Sequence, residues 1–203
     1  MTTLTQTVTK EITWKDIAAF CESGKAADLL SVGDIISVVL KNGEKMRIAV
    51  AGINIYKENE VLFAFKDILS KEAPMNEDWT NEGGYEASKM AKYLDTEIFD
   101  LLPDDLQAVI KERRGHKLWL FSRREVFGED GWYICPEDDA HIPYYQESEN
   151  RIKLRDGGPD WWWLASPGAA STTDFCRVDD RGVGSSNGSG AVNSLGVTPG
   201  FCI

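Results

Sequence analysis

The chain has 203 residues, with 33 acidic side chains against 22 lysines and arginines and a formal net charge of −11. That length suits one domain with a buried core, or one domain with a short N-terminal addition. The charge works against nonspecific binding of nucleic acid or an anionic membrane, and no apolar run is long enough to span a bilayer.

The opening MTTLTQTVTKEITW lacks the cationic start and apolar middle of a signal peptide, so none is expected and the compartment is read as reducing. Residues 1–10 are polar and Thr-rich and read as a tail. Thr13 or Asp16 can cap a short helix that carries Trp14, Ile17, Ala18 and Phe20, and a second turn follows Gly24 over residues 25–30. Residues 1–30 are thus a tail with short helices, and the main domain is expected over 31–203.

From Asp34 the period changes. DIISVVL, EKMRIAVAGIN and EVLFAFKDI are rich in Val, Ile and Phe, with Asn42-Gly43 marking a hairpin and residues 57–60 a second turn. They predict an antiparallel meander. MNEDWTNEGG is a loop. Residues 85–99 carry Ala87, Met90, Ala91, Leu94 and Ile98 at helical spacing, and Pro103 starts a second helix over 104–113. Two helices beside an antiparallel sheet make an α+β domain. Residues 116–121 read as a strand, SRREVFG as a helical turn, and 131–145 as irregular.

The last stretch is WWWLASPGAASTTDFCRVDDRGVGSSNGSGAVNSLGVTPGFCI. Small and polar residues fill it, yet Phe175, Val178, Val183, Val192, Leu195 and Val197 punctuate it, and it closes on an apolar end. That pattern fits loops pinned to a core better than a linker. From Leu164 onward there is no Lys, Glu, Gln, Met or Trp, although the preceding chain contains all five. Their shared property is genetic, since none has a codon ending in C. Randomising the two adenines of an AAC codon excludes all five and allows Ser, Gly, Asp, Thr, Ala, Arg, Val and Leu.

WWWLASPG, FCRV and GVTPGFCI, in that order, resemble the variable region of diversity-generating retroelement target proteins, in which error-prone copying of template adenines rewrites the 3′ end of a gene. SVGD, HKLWLFSRREVFG and HIPYYQESENRIKL resemble an uncharacterised domain family of gut bacteria and their phages. The resemblance implies a C-type-lectin-like fold with a loop-rich C-terminal region, a variable segment over about 161–203, and a cytoplasmic or phage-virion location. It also implies that exchanged positions are those replacing a template Asn. By position these are Gly168, Ala170, Ser171, Thr173, Asp174, Arg177, Asp179, Asp180, Arg181, Val183, Ser185, Ser186, Asn187, Gly188, Val192, Asn193 and Leu195.

No catalytic constellation is legible. His116 and His141 are the only histidines, and neither sits in a Ser/His/Asp or Cys/His pattern. Glu137-Asp138-Asp139 lacks the alternating-oxygen loop of a calcium site, and the glycines at 182–190 match no phosphate-binding motif. Cys21, Cys135, Cys176 and Cys202 have no zinc-like spacing and read as reduced thiols. Cys176 would neighbour Cys202 if the final strand packed beside the Phe175 strand. Trp161 and Trp163 should share one strand face and Trp162 take the other.

The expectation is therefore a binding module without enzymatic activity, metal or cofactor, contacting an unknown protein or glycan through the variable surface. Phe175, Val178, Val197 and Phe201 should point inward. Few aromatics fall at the exchanged positions, so weak binding is expected. Two rivals remain: a relative of the formylglycine-generating branch of the same fold, using Cys176 and Cys202 as a redox pair, and a structural virion or surface component.

Overall fold

The computed structural model describes residues 12–203. Thr13 caps helix α1 (Trp14–Glu22): its hydroxyl accepts from the Asp16 N–H while the Asp16 carboxylate reaches back to the Thr13 N–H, satisfying two donors that the first turn leaves free. Trp14, Ile17 and Cys21 are buried, whereas the expected apolar residue Phe20 is exposed. With the helix starting at Trp14, Cys21 falls seven residues on and on the Trp14 face, and Phe20 falls off it. A short turn, α2 (Ala26–Leu29), follows.

The meander forms as expected. Strands β1 (Ile35–Val39), β2 (Lys45–Ile53) and β3 (Val61–Phe65) pair antiparallel. Gly43 takes φ +88° in the first turn, which a side chain would resist, and the Asn42 carboxamide accepts from the Glu44 N–H. β3 is buried along its whole length, and a fourth strand pairs along its far edge.

The helical region departs from expectation. α3 (Lys89–Tyr93) starts at Ser88, whose hydroxyl caps the Ala91 N–H, so Ala87 lies outside it and is exposed. The helix widens to a π-turn at Leu94–Ile98 and resumes as α4 (Phe99–Leu101). The predicted helix over 104–113 is only α5 (Asp104–Gln107). Gln107 turns its side-chain amide back onto the carbonyls of Phe99 and Leu102 at 2.9 and 2.8 Å, and the Lys111 N–H is drawn to the Cys202 carbonyl at 2.9 Å. Residues 116–121 are not a regular strand. They make two isolated bridges, His116 with Arg113 and Trp119 with Gly200, each pair exchanging both backbone bonds.

α6 (Arg123–Phe127) has a capping box of Ser122 and Glu125, and α7 (Pro143–Gln146) begins on proline. A 3₁₀ turn leads to a small hairpin, β4 (Lys153–Arg155) and β5 (Gly158–Asp160). β6 (Trp162–Pro167), β7 (Asp174–Val178) and β8 (Ser189–Gly190) make a three-stranded antiparallel sheet. β9 (Gly200–Cys202) leaves that sheet and pairs with β3 in the first, giving the order β1-β2-β3-β9.

The whole is α+β, with Trp14, Phe63, Phe65 and Phe201 meeting at the centre. Phe63 stacks on Phe201 at 5.2 Å, and Trp14 meets both rings edge-on. Because β7 pairs with β6 and β8, and β9 with β3, the strand pairing that would set Cys176 beside Cys202 is not formed. All four cysteines are free, and burial pushes the Cys176 and Cys202 thiols up to about 11 and about 12.

Candidate functional site

β6 is the floor on which the C-terminal loops stand. The three tryptophans do not divide as strand alternation alone predicts. The strand begins at Trp162, and both Trp162 and Trp163 are fully buried, one in each face. Their indole N–H groups donate to the carbonyls of Arg151 and Ala73 at 3.0 and 2.9 Å. Trp161 precedes the strand and is 39% exposed, with the Arg177 guanidinium 3.7 Å over its ring. Phe175, Val178, Val197 and Phe201 are buried, as are Cys176 and Ile203.

Of the seventeen positions named from the sequence, seven are exposed: Ala170, Asp180, Arg181, Val183, Ser186, Asn187 and Asn193. Nine are partly buried: Gly168, Ser171, Thr173, Asp174, Arg177, Asp179, Ser185, Val192 and Leu195. Gly188 is the exception and is buried. Its φ is +66°, and a Cβ there would fall 2.8 Å from the Phe175 carbonyl oxygen, so this position is tied to glycine by backbone geometry.

Val183, one of the apolar residues that punctuate the stretch and also a named variable position, is 55% exposed. Leu195 is held through its backbone, which exchanges bonds with Ala73 at 3.1 and 3.3 Å.

The loops are braced from within. The Ser171 hydroxyl accepts from the N–H groups of Thr173 and Asp174, and the Asn81 amide, from the loop before α3, donates to the carbonyls of Ser171 and Asp174. The Ser185 hydroxyl accepts from the N–H groups of Asn187 and Gly188, while Tyr133 donates to the Ser185 carbonyl at 2.9 Å. Arg177 Nε donates to the Gly188 carbonyl.

Asp179 is the keystone of its turn, accepting from the N–H groups of Arg181 and Val183 and pairing with the Arg181 guanidinium. Burial works against its charge, but these donors outweigh it and hold the carboxyl below the usual range.

Sequence reasoning missed two fixed aromatics beside these loops. Trp79 is 63% exposed, and its ring lies against Gly190, where a Cβ would fall 2.2 Å from Cζ3. Trp132 is 74% exposed, and its carbonyl accepts from the Ala169 N–H. For Trp79 the signal was present: it is a lone aromatic among Asp, Glu, Asn and Gly, with no apolar periodicity to bury it.

A second polar centre is built around Glu125. Glu125 is buried and accepts from the Ser122 N–H, from Arg113 at 3.0 Å and from the Tyr56 hydroxyl. Burial, then the nearby Asp139, push its carboxyl up to about 7 against the pull of Arg113. Asp139 pairs with Arg113 and Arg114 at 2.7 and 2.8 Å, so two guanidiniums occupy the acidic run weighed above as a cation site. Among the described residues no group of three or more His, Cys, Asp and Glu side chains is placed to hold a metal. His116 lies between Asp95 and Glu86; burial opposes its proton, but the two carboxylates prevail and raise its pKa above 6.5. His141 packs against Gly128, and its Nε2 has no hydrogen-bond partner among the described residues.

A cavity of about 260 Å³ opens beside Glu125 and Asp139. Among the described residues no helix is long and apolar enough to cross a membrane.

The family described as "Domain of unknown function (DUF6273)" matches residues 114–203, a little under half of the chain. The similarity covers the extended segment, α6, α7 and both C-terminal sheet contributions. No curated protein and no solved structure matches the chain.

Proposed function

We propose that the protein is a ligand-binding display module with a C-type-lectin-like fold, whose C-terminal loop residues are exchanged by retroelement-driven adenine mutagenesis. One observation carries this reading. Within a single stretch, the fixed residues Phe175, Cys176, Val178, Val197 and Phe201 are buried, while all but one of the seventeen exchangeable positions are exposed or partly exposed. A fixed frame carrying replaceable polar loops is the physical arrangement of a paratope.

The ligand is an unidentified protein or glycan. Trp79, Trp132 and Trp161 modify the expectation of weak binding, because they supply exposed indole surface that does not depend on the exchanged codons.

The test is a set of variants that change Ala170, Asp180, Arg181, Ser186, Asn187 and Asn193 together, using residues whose codons end in C. Unfolding midpoints should hold, since exposed substitutions each cost about 0.5 kcal/mol or less. Glycan and protein arrays should show that the captured ligand changes with the loop set. Variants that unfold, or that all capture the same ligand, refute the proposal. The gene's surroundings give an independent check: a near-copy of the 3′ end, with adenines at these codons, beside a reverse transcriptase gene.

A further inference from the structure

Building on the display reading, we infer that the ligand of this copy is a saccharide carrying a single carboxylate, held by the Arg177 guanidinium where it lies on the Trp161 indole. Arg177 is one of the exchangeable positions named above, so the assignment rests on that reading for its surface.

Arg177 stands apart in its charge. Of the arginines among the described residues, only Arg151 and Arg177 have no carboxylate partner. Arg151 lies over the Phe127 ring with its Nε enclosed. Arg177 is partly exposed, and its Nη1 and Nη2 are open to solvent with no partner among the described residues. The acids beside the pair are engaged elsewhere. Asp179 holds Arg181 and two backbone N–H groups, and Asp160 holds Arg155 and the Trp161 N–H.

The guanidinium is also fixed in place. It lies 3.7 Å over the Trp161 ring, and its Nε donates to the Gly188 carbonyl at 3.0 Å. What it presents outward is the Nη1–Nη2 edge, a planar fork that takes both oxygens of a carboxylate. Burial is the largest influence on Arg177 and lowers its pKa from 12.5, with Tyr133 and Asp179 offsetting only part. An arginine stays charged all the same, so a bound anion would relieve an uncompensated cation.

The chain's own charge limits which anion fits. A net charge of −11 repels polyanions at long range, so the ligand brings one carboxylate on an otherwise neutral body. The surroundings select that body. Trp161, 39% exposed, offers indole surface to the C–H face of a sugar ring. The loop joined to Arg177 through Gly188 carries exposed Ser186 and Asn187, whose hydroxyl and carboxamide donate and accept as sugar hydroxyls require. These are small polar groups, not the apolar pockets that grip an anchoring peptide side chain.

The site is testable with the full chain and two matched probes, methyl β-D-glucuronide and methyl β-D-glucoside, which differ in carboxylate against hydroxymethyl. By saturation-transfer NMR and chemical-shift titration, the uronide should bind at least about tenfold more tightly. Raising salt from about 50 to about 500 mM should weaken the uronide several-fold and leave the glucoside unchanged. Arg177→Gln should erase the preference, and Arg177→Lys should keep part of it, as a point charge without the fork. The salt dependence needs no variant, so it decides even if Arg177→Gln fails to fold. Equal binding of the two sugars, binding of neither, or a preference indifferent to salt and to Arg177→Gln would each overturn the site. Tighter binding of the peptide acetyl-Ser-Glu-Ser-amide would assign the guanidinium to a protein carboxylate and overturn the saccharide. If the uronide fails while the loop-set variants still exchange ligands, only this assignment falls. If it binds through Arg177 while those variants all capture one ligand, the display reading falls and the anion site stands.

Discussion

Lys153 is fully buried, with its ammonium over the rings of Tyr145 and Trp162 at 5.4 and 5.1 Å and donating to the Phe65 carbonyl. Burial, then the nearby Lys66, lower its pKa to about 7. The unfolded chain therefore binds this proton more tightly than the folded one. Stability from this group is complete above about pH 10.5 and is lost as pH falls through about 7. Glu125 acts in the opposite sense. Its folded value, raised from 4.5 to about 7, gives stability that is complete below about 4.5 and lost as pH rises through about 7.

The two together make a dip in stability near neutrality. Lys153→Met should fill its side of that dip. The Phe65 carbonyl keeps a donor, since the Thr198 hydroxyl also reaches it at 2.8 Å. We expect a gain within the range of about 1–4 kcal/mol seen when buried charges are replaced by apolar groups of similar volume. The gain should be larger at about pH 7 than at about pH 8.5, because less of the penalty survives at the higher pH. Denaturant titrations at the two values measure it, and an equal gain at both would refute the titration argument.

At the scale of elements, the turn after β7 sets exposed residues beside a bracing one. Asp180 and Arg181 are exposed, and changing either should shift stability by no more than about 0.5 kcal/mol. Asp179→Ala removes the acceptor for two backbone N–H groups and should cost about 1–2 kcal/mol, in the range of a lost cap. Thermal denaturation of the single variants separates the two classes, and equal costs would deny the bracing role.

The sequence carried the meander because Val, Ile and Phe runs and Asn42-Gly43 are local signals. It carried the exposure of the loops because small polar residues interrupt their apolar pins. It could not carry α5's early end, which depends on Lys111 meeting Cys202 far along the chain, nor the route of β9 into the first sheet. Gly188 was misread for the same reason: its restraint is the Phe175 carbonyl, a neighbour supplied by strand pairing and invisible in composition. The Arg113–Glu125–Asp139 network was missed because its members come from three separated segments.

On the whole-molecule scale, both ends of the described chain converge on one aromatic cluster. β9 inserts Phe201 between β3 and the extended segment 116–121, and α1 lays Trp14 across Phe63 and Phe201. The C-terminal sheet and its loops are therefore anchored from behind by the N-terminal helix, so residues 14–22 belong mechanically to the frame. Trp14 is 8% exposed, and Trp14→Ala removes an indole from a packed interior. The cost should be about 3–5 kcal/mol.

In one cooperative unit, the variant should still unfold in a single transition. Far-ultraviolet circular dichroism and tryptophan fluorescence curves should superimpose and move together to lower denaturant. Were α1 only a tether, the midpoint would stay where it is. If the helix and the loop-bearing sheet were separate units, the two probes would part, with fluorescence of Trp162 and Trp163 persisting after helical signal is lost. Either result would break the mechanical link between the N-terminal helix and the sheet that carries the C-terminal loops.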